Sequence, residues 1–157
     1  ELDENAEAVK ESVDLDGVVK EVFGVLGAAA EQKNVVLILE GTSVEVRGIR
    51  RYLYEILYNL CDNAIRYNVE DGNVCGTVDE EDDTVFLSVR DTGIGIAPEH
   101  QERIFERFYR VDKSRSKETG GTGLGLAIVK HIAALHHAQI QIDSRIGEGT
   151  EIKILFI

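Results

Sequence analysis

The chain has 157 residues, 17 Lys and Arg against 29 Asp and Glu, a net charge of −12, two cysteines and no methionine. That length suits one domain with its own core, and the acidic balance excludes general binding to nucleic acid or anionic membranes. No run approaches the ~18 apolar residues of a membrane span, and no stretch reads as a signal peptide. Cys61 and Cys75 lack metal-ligand spacing and sit in apolar stretches, so they read as buried free thiols. A chain without methionine that opens inside a charged stretch is expected to be a piece of a longer protein, with residues 1–9 the remnant of a linker.

From Leu15 to Lys33 the apolar residues at 15, 18, 19, 22, 26, 29 and 30 recur at helical spacing. "NVVLILEG" and "SVEVRG" then predict two strands joined by a tight turn at Gly41 and Thr42. A second helix is predicted from about Ile49 to Asn68. Its apolar residues Ile49, Leu53, Ile56, Leu57, Leu60 and Ala64 fall in one arc, while Asn59, Asn63 and Arg66 form a separate narrow stripe. Asparagine is a poor mid-helix residue, because its amide competes for backbone hydrogen bonds, so two in line with a cation suggest use. An amide oxygen is a hard, neutral ligand suited to Mg²⁺. A solvated polar face is the competing reading.

Strands near 73–80 and 83–90 follow, joined by the acidic turn "DEEDD". The second runs into Asp91-Thr92-Gly93-Ile94-Gly95-Ile96. An ionised Asp only accepts hydrogen bonds, so one fixed at a strand end can receive the exocyclic amine of adenine and repels a guanine carbonyl. Gly93 and Gly95 let backbone approach a flat ring. Alone, Asp-x-Gly is also a common turn.

A short helix is predicted near 99–106, overlapping "RIFERFYR". Ile104, Phe105 and Phe108 supply an apolar anchor, and Arg107 and Arg110 place cations beside it; aromatics in the core with arginines at the surface is the plainer reading. Residues 107–123 have almost no periodicity, and loops of that length tend to be lids. Between Gln101 and Lys117 the charge balance reverses, with Arg103, Arg107, Arg110, Lys113, Arg115 and Lys117 facing Glu102, Glu106 and Asp112. Gly120, Gly121, Gly123 and Gly125 then lead into a helix predicted over 124–137, where bared N–H groups can meet an anion. The loop lacks the Gly-Lys-Ser/Thr ending of a P-loop and the position of a dinucleotide fingerprint. Strands near 138–144 and 149–157 close an α/β layer, with helices on one face of a mixed, largely antiparallel sheet.

The succession "NLCDNAIRY", "DTGIGI", "IFERFYR", "GGTGLGLAIVK" and "GEGTEIKI" resembles the N, G1, F, G2 and closing motifs of the ATP-binding catalytic domain of bacterial sensor histidine kinases. The wider set also holds gyrase and MutL. The likeness covers roughly residues 10 to 157, and implies a Bergerat-type two-layer sandwich making one domain over 1–157, with a flexible ATP lid at 107–123. It implies ATP and Mg²⁺ as cofactors, with Asn63 as the metal ligand and Asn59 nearby. Arg66 stands where a phosphate-contacting Lys is usual, and Tyr67 would lie against adenine. Asp91 would read the base, with Gly93, Gly95 and Ile96 beside it and Thr150 reaching it through water. Arg110 would position the terminal phosphate, and Thr122, Gly123, Leu124 and Gly125 would donate to the phosphate chain.

Hydrolysing members of that set carry Glu where this chain has Asn59, and an amide cannot take a proton from water at neutral pH. The resemblance therefore implies a protein-histidine kinase whose acceptor histidine lies on a separate helical dimerisation domain of the same protein, in two-component signalling to a response regulator. His100, His131, His136 and His137 lack an acceptor-like setting, so the fragment is not expected to phosphorylate itself. It is expected to be monomeric and cytoplasmic, within a parent anchored in the cell membrane. A serine kinase of the anti-sigma-factor type, or an ATP sensor without turnover, are the alternatives. Ile49 replaces a usual Asp at the entry to the Asn helix, and His137-Ala138 replaces a usual glycine pair, so capping is expected to differ at both places.

Overall fold

The computed structural model describes residues 10–107, 109 and 125–157. In chain order these form β1 (Glu11–Asp14), α1 (Leu15–Gln32), β2 (Val36–Gly41), β3 (Glu45–Gly48), α2 (Arg50–Arg66), β4 (Asn73–Glu81) and β5 (Thr84–Asp91). There follow α3 (Pro98–Gln101), a 3₁₀ turn (Arg103–Phe105), α4 (Gly125–Leu135), β6 (Ala138–Arg145) and β7 (Gly149–Phe156).

Five strands build the main sheet in the order β2-β4-β5-β7-β6, with β2 and β4 parallel and the other neighbours antiparallel. The parallel pair is possible because β3 and α2 lie between β2 and β4, long enough for a crossover. In register, Val78 faces Leu87 and Leu87 faces Ile154, while Val89 faces Ile152. These residues point one way into the core, where Leu15, Val18, Val19 and Val22 of α1 meet Leu53, Ile56, Leu57 and Leu60 of α2, all at 2% exposure or less. The opposite face is open at its β6 edge, where the exposed positions are Gln139, Gln141, Asp143 and Arg145, alternating with Ile140 and Ile142. The predicted α/β architecture, a mixed sheet with helices on one face, is the one observed.

Three local expectations are corrected. The strands on either side of Gly41 and Thr42 do not pair; Thr42 N–H donates to the Val78 carbonyl at 2.9 Å, which ties the turn to β4. β3 instead leaves the sheet and pairs with β1, a strand whose single apolar residue, Val13, left no alternation to read. The helix expected near 99–106 breaks at Glu102 into α3 and the 3₁₀ turn, of which Ile104 is the buried residue. The cysteines behave as expected: both are free and buried, and desolvation together with the neighbouring Asp62 charge pushes the Cys61 thiol up to about 12.

Both expected differences in capping are realised. Ile49, extended at φ −104°, is the N-cap residue of α2 and offers no side-chain cap. Its own N–H donates to His136 Nε2 at 3.1 Å. After α4, His137 takes the left-handed turn at φ +55°, where glycine would carry no Cβ penalty.

Candidate functional site

β5 delivers Asp91 to the edge of the core, where its Oδ1 accepts the N–H groups of Gly93 at 2.8 Å and Thr150 at 3.2 Å. Its Oδ2 takes no hydrogen bond among the described residues. Burial pushes this carboxyl up to about 6, opposed in part by the two backbone donors. The side chain thus presents one oxygen held by the fold and one open acceptor.

The turn that follows is wedged between two elements. Ile94 N–H donates to the Tyr67 carbonyl at 3.1 Å, and Gly147 N–H donates to the Ile94 carbonyl at 2.8 Å. A Cβ on Gly93 would lie 2.3 Å from the Tyr67 carbonyl oxygen, and one on Gly95, at φ +76°, would lie 2.0 Å from the Arg145 carbonyl oxygen. Only glycine allows that approach. Ile96 N–H donates to Ser144 Oγ at 2.8 Å, and that hydroxyl lies 2.7 Å from Thr150 Oγ1. Thr150 reaches Asp91 through its own backbone N–H.

The polar stripe of α2 ends against this turn. Asn63 is one helical turn before Tyr67, whose N–H donates to the Asn63 carbonyl at 3.1 Å. Asn63 itself is half-buried, and its side-chain amide makes no hydrogen bond among the described residues. The Asn59 amide is more committed: Nδ2 donates to the Glu55 carbonyl at 2.8 Å, and Oδ1 lies 2.8 Å from where a Cβ on Gly125 would stand. Arg66 Nε donates to Asp62 Oδ2 at 2.9 Å, an ion pair along the helix. Asn59, Asn63, Tyr67, Asp91, Gly93, Ile96, Gly125 and Thr150 are thus linked through a chain of contacts among α2, the β5 turn, the start of α4 and the start of β7. Arg110, Thr122, Gly123, Leu124 and Phe108 lie outside the described residues, as does most of the expected lid.

Some residues that hold this arrangement were not legible. Asn68 is 3% exposed; its Nδ2 donates to the Asn73 carbonyl at 2.9 Å, and its Oδ1 accepts from Val69 N–H at 2.8 Å and Thr92 Oγ1 at 3.0 Å. It locks the end of α2 to the base of the Asp91 turn. Lys33 Nζ donates to the carbonyls of Ile65 at 3.3 Å and Arg66 at 2.6 Å, a cation at the negative end of α2. Ser144 had no distinguishing neighbour in the chain. The available signal was weak: Asn68 at a predicted helix end reads as punctuation, and the partners of Lys33 are far along the chain.

Comparison with known proteins gives a consistent family likeness. Residues 48–157 match the family described as Histidine kinase-, DNA gyrase B-, and HSP90-like ATPase. The chain is 41% identical over 141 residues to Sensor-like histidine kinase SenX3 of Mycolicibacterium smegmatis, covering 89% of the chain and 37% of that protein. It is 44% identical over 108 residues to Phosphate regulon sensor protein PhoR of Pseudomonas aeruginosa, covering 69% of the chain and 24% of that protein. Among solved structures, the mycobacterial sensor histidine kinase MprB superposes with a TM-score of 0.82 at 27% identity, over 94% of this chain and 97% of that one. Full-length ShkA in complex with AMPPNP superposes with a TM-score of 0.81 at 30% identity, over 94% of this chain and 30% of that one. The chain spans between a quarter and just over a third of the length of the first curated relatives it matches. No helix among the described residues is long and apolar enough to cross a membrane.

Proposed function

The chain belongs to the histidine kinase-, DNA gyrase B- and HSP90-like ATPase family, and from that premise we propose that it is the ATP-binding catalytic unit of a sensor histidine kinase. It binds ATP with Mg²⁺ and presents the γ-phosphate to a histidine on a separate dimerisation domain of the same protein, which in turn serves a response regulator. The unit spans residues 1–157, with 107–123 as its lid, and acts at the cytoplasmic side of a membrane-anchored parent. AMPPNP in the similar ShkA structure supports a nucleotide as the ligand.

The observation that carries this reading is the open oxygen of Asp91. With Oδ1 occupied by Gly93 and Thr150, ionised Oδ2 accepts the adenine amine, while Gly93 and Gly95 let the turn close on the Tyr67 and Arg145 carbonyls beside it. Tyr67 and Ile96 border the base. Mg²⁺, when bound, neutralises charge on the phosphates, and the donor set fits it: Asn63 offers a neutral amide oxygen, Asn59 lies one turn away, and phosphate and water supply the rest. Arg66 and Arg110, with the donors of Thr122, Gly123, Leu124 and Gly125, orient the phosphate chain. Asn59 cannot deprotonate water, so phosphoryl transfer to an outside acceptor is favoured over hydrolysis.

Calorimetry on the 157-residue chain with Mg²⁺ tests the base assignment. ATP is expected to bind about a hundredfold more tightly than GTP, since guanine presents a carbonyl to Asp91. Equal affinities would overturn it. Mixing chain, ATP-Mg²⁺ and the separately prepared dimerisation domain is expected to yield phosphohistidine; binding without transfer would instead favour a nucleotide sensor.

A further inference from the structure

His136 is 7% exposed and lies just past the end of α4. Its Nε2 accepts the Ile49 N–H at 3.1 Å, and its Nδ1 lies 2.9 Å from the Ile132 carbonyl oxygen. A ring nitrogen that accepts carries no proton, and a carbonyl oxygen can only accept. The imidazole is therefore neutral, with its proton on Nδ1. Burial holds it below the ordinary histidine value, and the charges of Lys10 and His137 act in the same direction, against the hydrogen bond to Ile132. Gly48 makes room for the ring, since a Cβ there would stand 2.7 Å from His136 Cδ2.

The other end of α4 also rests on α2. Gly125 packs on Asn59, with no space for a Cβ between them. Helical rise puts about 16 Å between Gly125 and His136, and about 15 Å between Ile49 and Asn59. The lengths match, so α4 is a strut lying antiparallel on α2 and pinned at both ends. It is also the helix that leaves the glycine-rich loop, and α2 carries Asn59 and Asn63. Gly125 at one end and His136 at the other are the two points at which α4 meets α2 in this way.

We propose that His136 is a positioning residue for nucleotide binding: by accepting from Ile49 while bonding Ile132, it fixes the register of α4 on α2 and hence of Gly125 on Asn59. This rests on the ATP reading above. The imidazole itself touches no nucleotide.

Two measurements on the 157-residue chain test it. Long-range ¹⁵N–¹H correlation at pH 7 is expected to show His136 protonated on Nδ1 alone; a proton on Nε2 would overturn the clamp without reference to any ligand. Next, ATP-Mg²⁺ affinity is measured at a temperature where circular dichroism shows every variant folded. His136→Leu, which keeps volume but makes neither hydrogen bond, is expected to lose roughly tenfold. His136→Gln, whose amide can accept from Ile49 and donate to Ile132, is expected to recover most of that. Gly48→Ala, which displaces the ring while leaving it in the chain, is expected to resemble His136→Leu and serves in its place if the leucine variant does not fold. Affinity unchanged in His136→Leu or Gly48→Ala, or equal loss in His136→Leu and His136→Gln, would overturn the proposal. No binding by the unaltered chain would overturn the proposed function, and with it the nucleotide part of this inference, while the tautomer still reports on the clamp.

Discussion

Asp91 shows how one side chain sets stability against use. Its carboxyl is raised from 3.8 to about 6, so the folded state prefers it neutral. The stabilisation this gives is full below the unfolded value near 4, is lost as pH rises through about 6, and is absent above that. Relative to a side chain that never ionises, Asp91 at pH 8 costs the fold up to about 3 kcal/mol. Asp91→Asn keeps an oxygen for the Gly93 and Thr150 donors but turns the other arm into a donor, which on the proposed reading would face the adenine amine. Its melting temperature is expected to exceed that of the unaltered chain by several degrees at pH 8 and to equal it near pH 4. Its ATP affinity should fall by about 2 kcal/mol or more. Unchanged affinity by calorimetry would remove Asp91 from the base-binding role. In the unaltered chain, ATP affinity should itself weaken as pH drops below about 6, because on the proposed reading the ionised carboxylate is the stronger acceptor for the base amine.

Elements here are joined by contacts their own sequences do not announce. α2 is held at its start by His136, at its end by Lys33 and Asn68, and along its length by Gly125 on Asn59. The helix itself was legible, because six apolar residues in one arc leave little freedom about which face goes inward. Its anchors were not, because each comes from a distant part of the chain. α4 ends at a cost: His137 holds a left-handed backbone with a Cβ present. His137→Gly relieves that strain while giving up some unfolded-state restriction, and is expected to raise stability by about 0.5–1 kcal/mol in urea denaturation. A decrease would mean that the His137 side chain holds the turn by contacts of its own.

Across the molecule, stability should follow the sheet. β4, β5 and β7 are flanked by strands on both sides and bury Val78, Leu87 and Ile154, whereas β1 and β3 form a separate two-stranded ribbon of four residues each. Hydrogen exchange is expected to show the amides of Val78, Leu87 and Ile154 opening only with global unfolding, and those of β1 and β3 exchanging through smaller local openings. Equal protection in the ribbon and the central strands would show that the ribbon belongs to the same cooperative unit.

What the sequence determined by itself is what local periodicity and short motifs can carry. The helices at 15–32 and 50–66 and six of the seven strands follow from apolar spacing, and the family follows from the order of "NLCDNAIRY", "DTGIGI" and "GGTGLGLAIVK". Period-two alternation says which face of a strand is buried but not which strand lies beside it. Only the tertiary structure decided that β2 pairs in parallel with β4 and that β3 leaves the sheet for β1. It likewise decided which oxygen of Asp91 is tied down and which stays open, because donors 2 and 59 residues away must converge on one carboxylate. Convergence of that kind is a property of packing, and no window along the chain contains it.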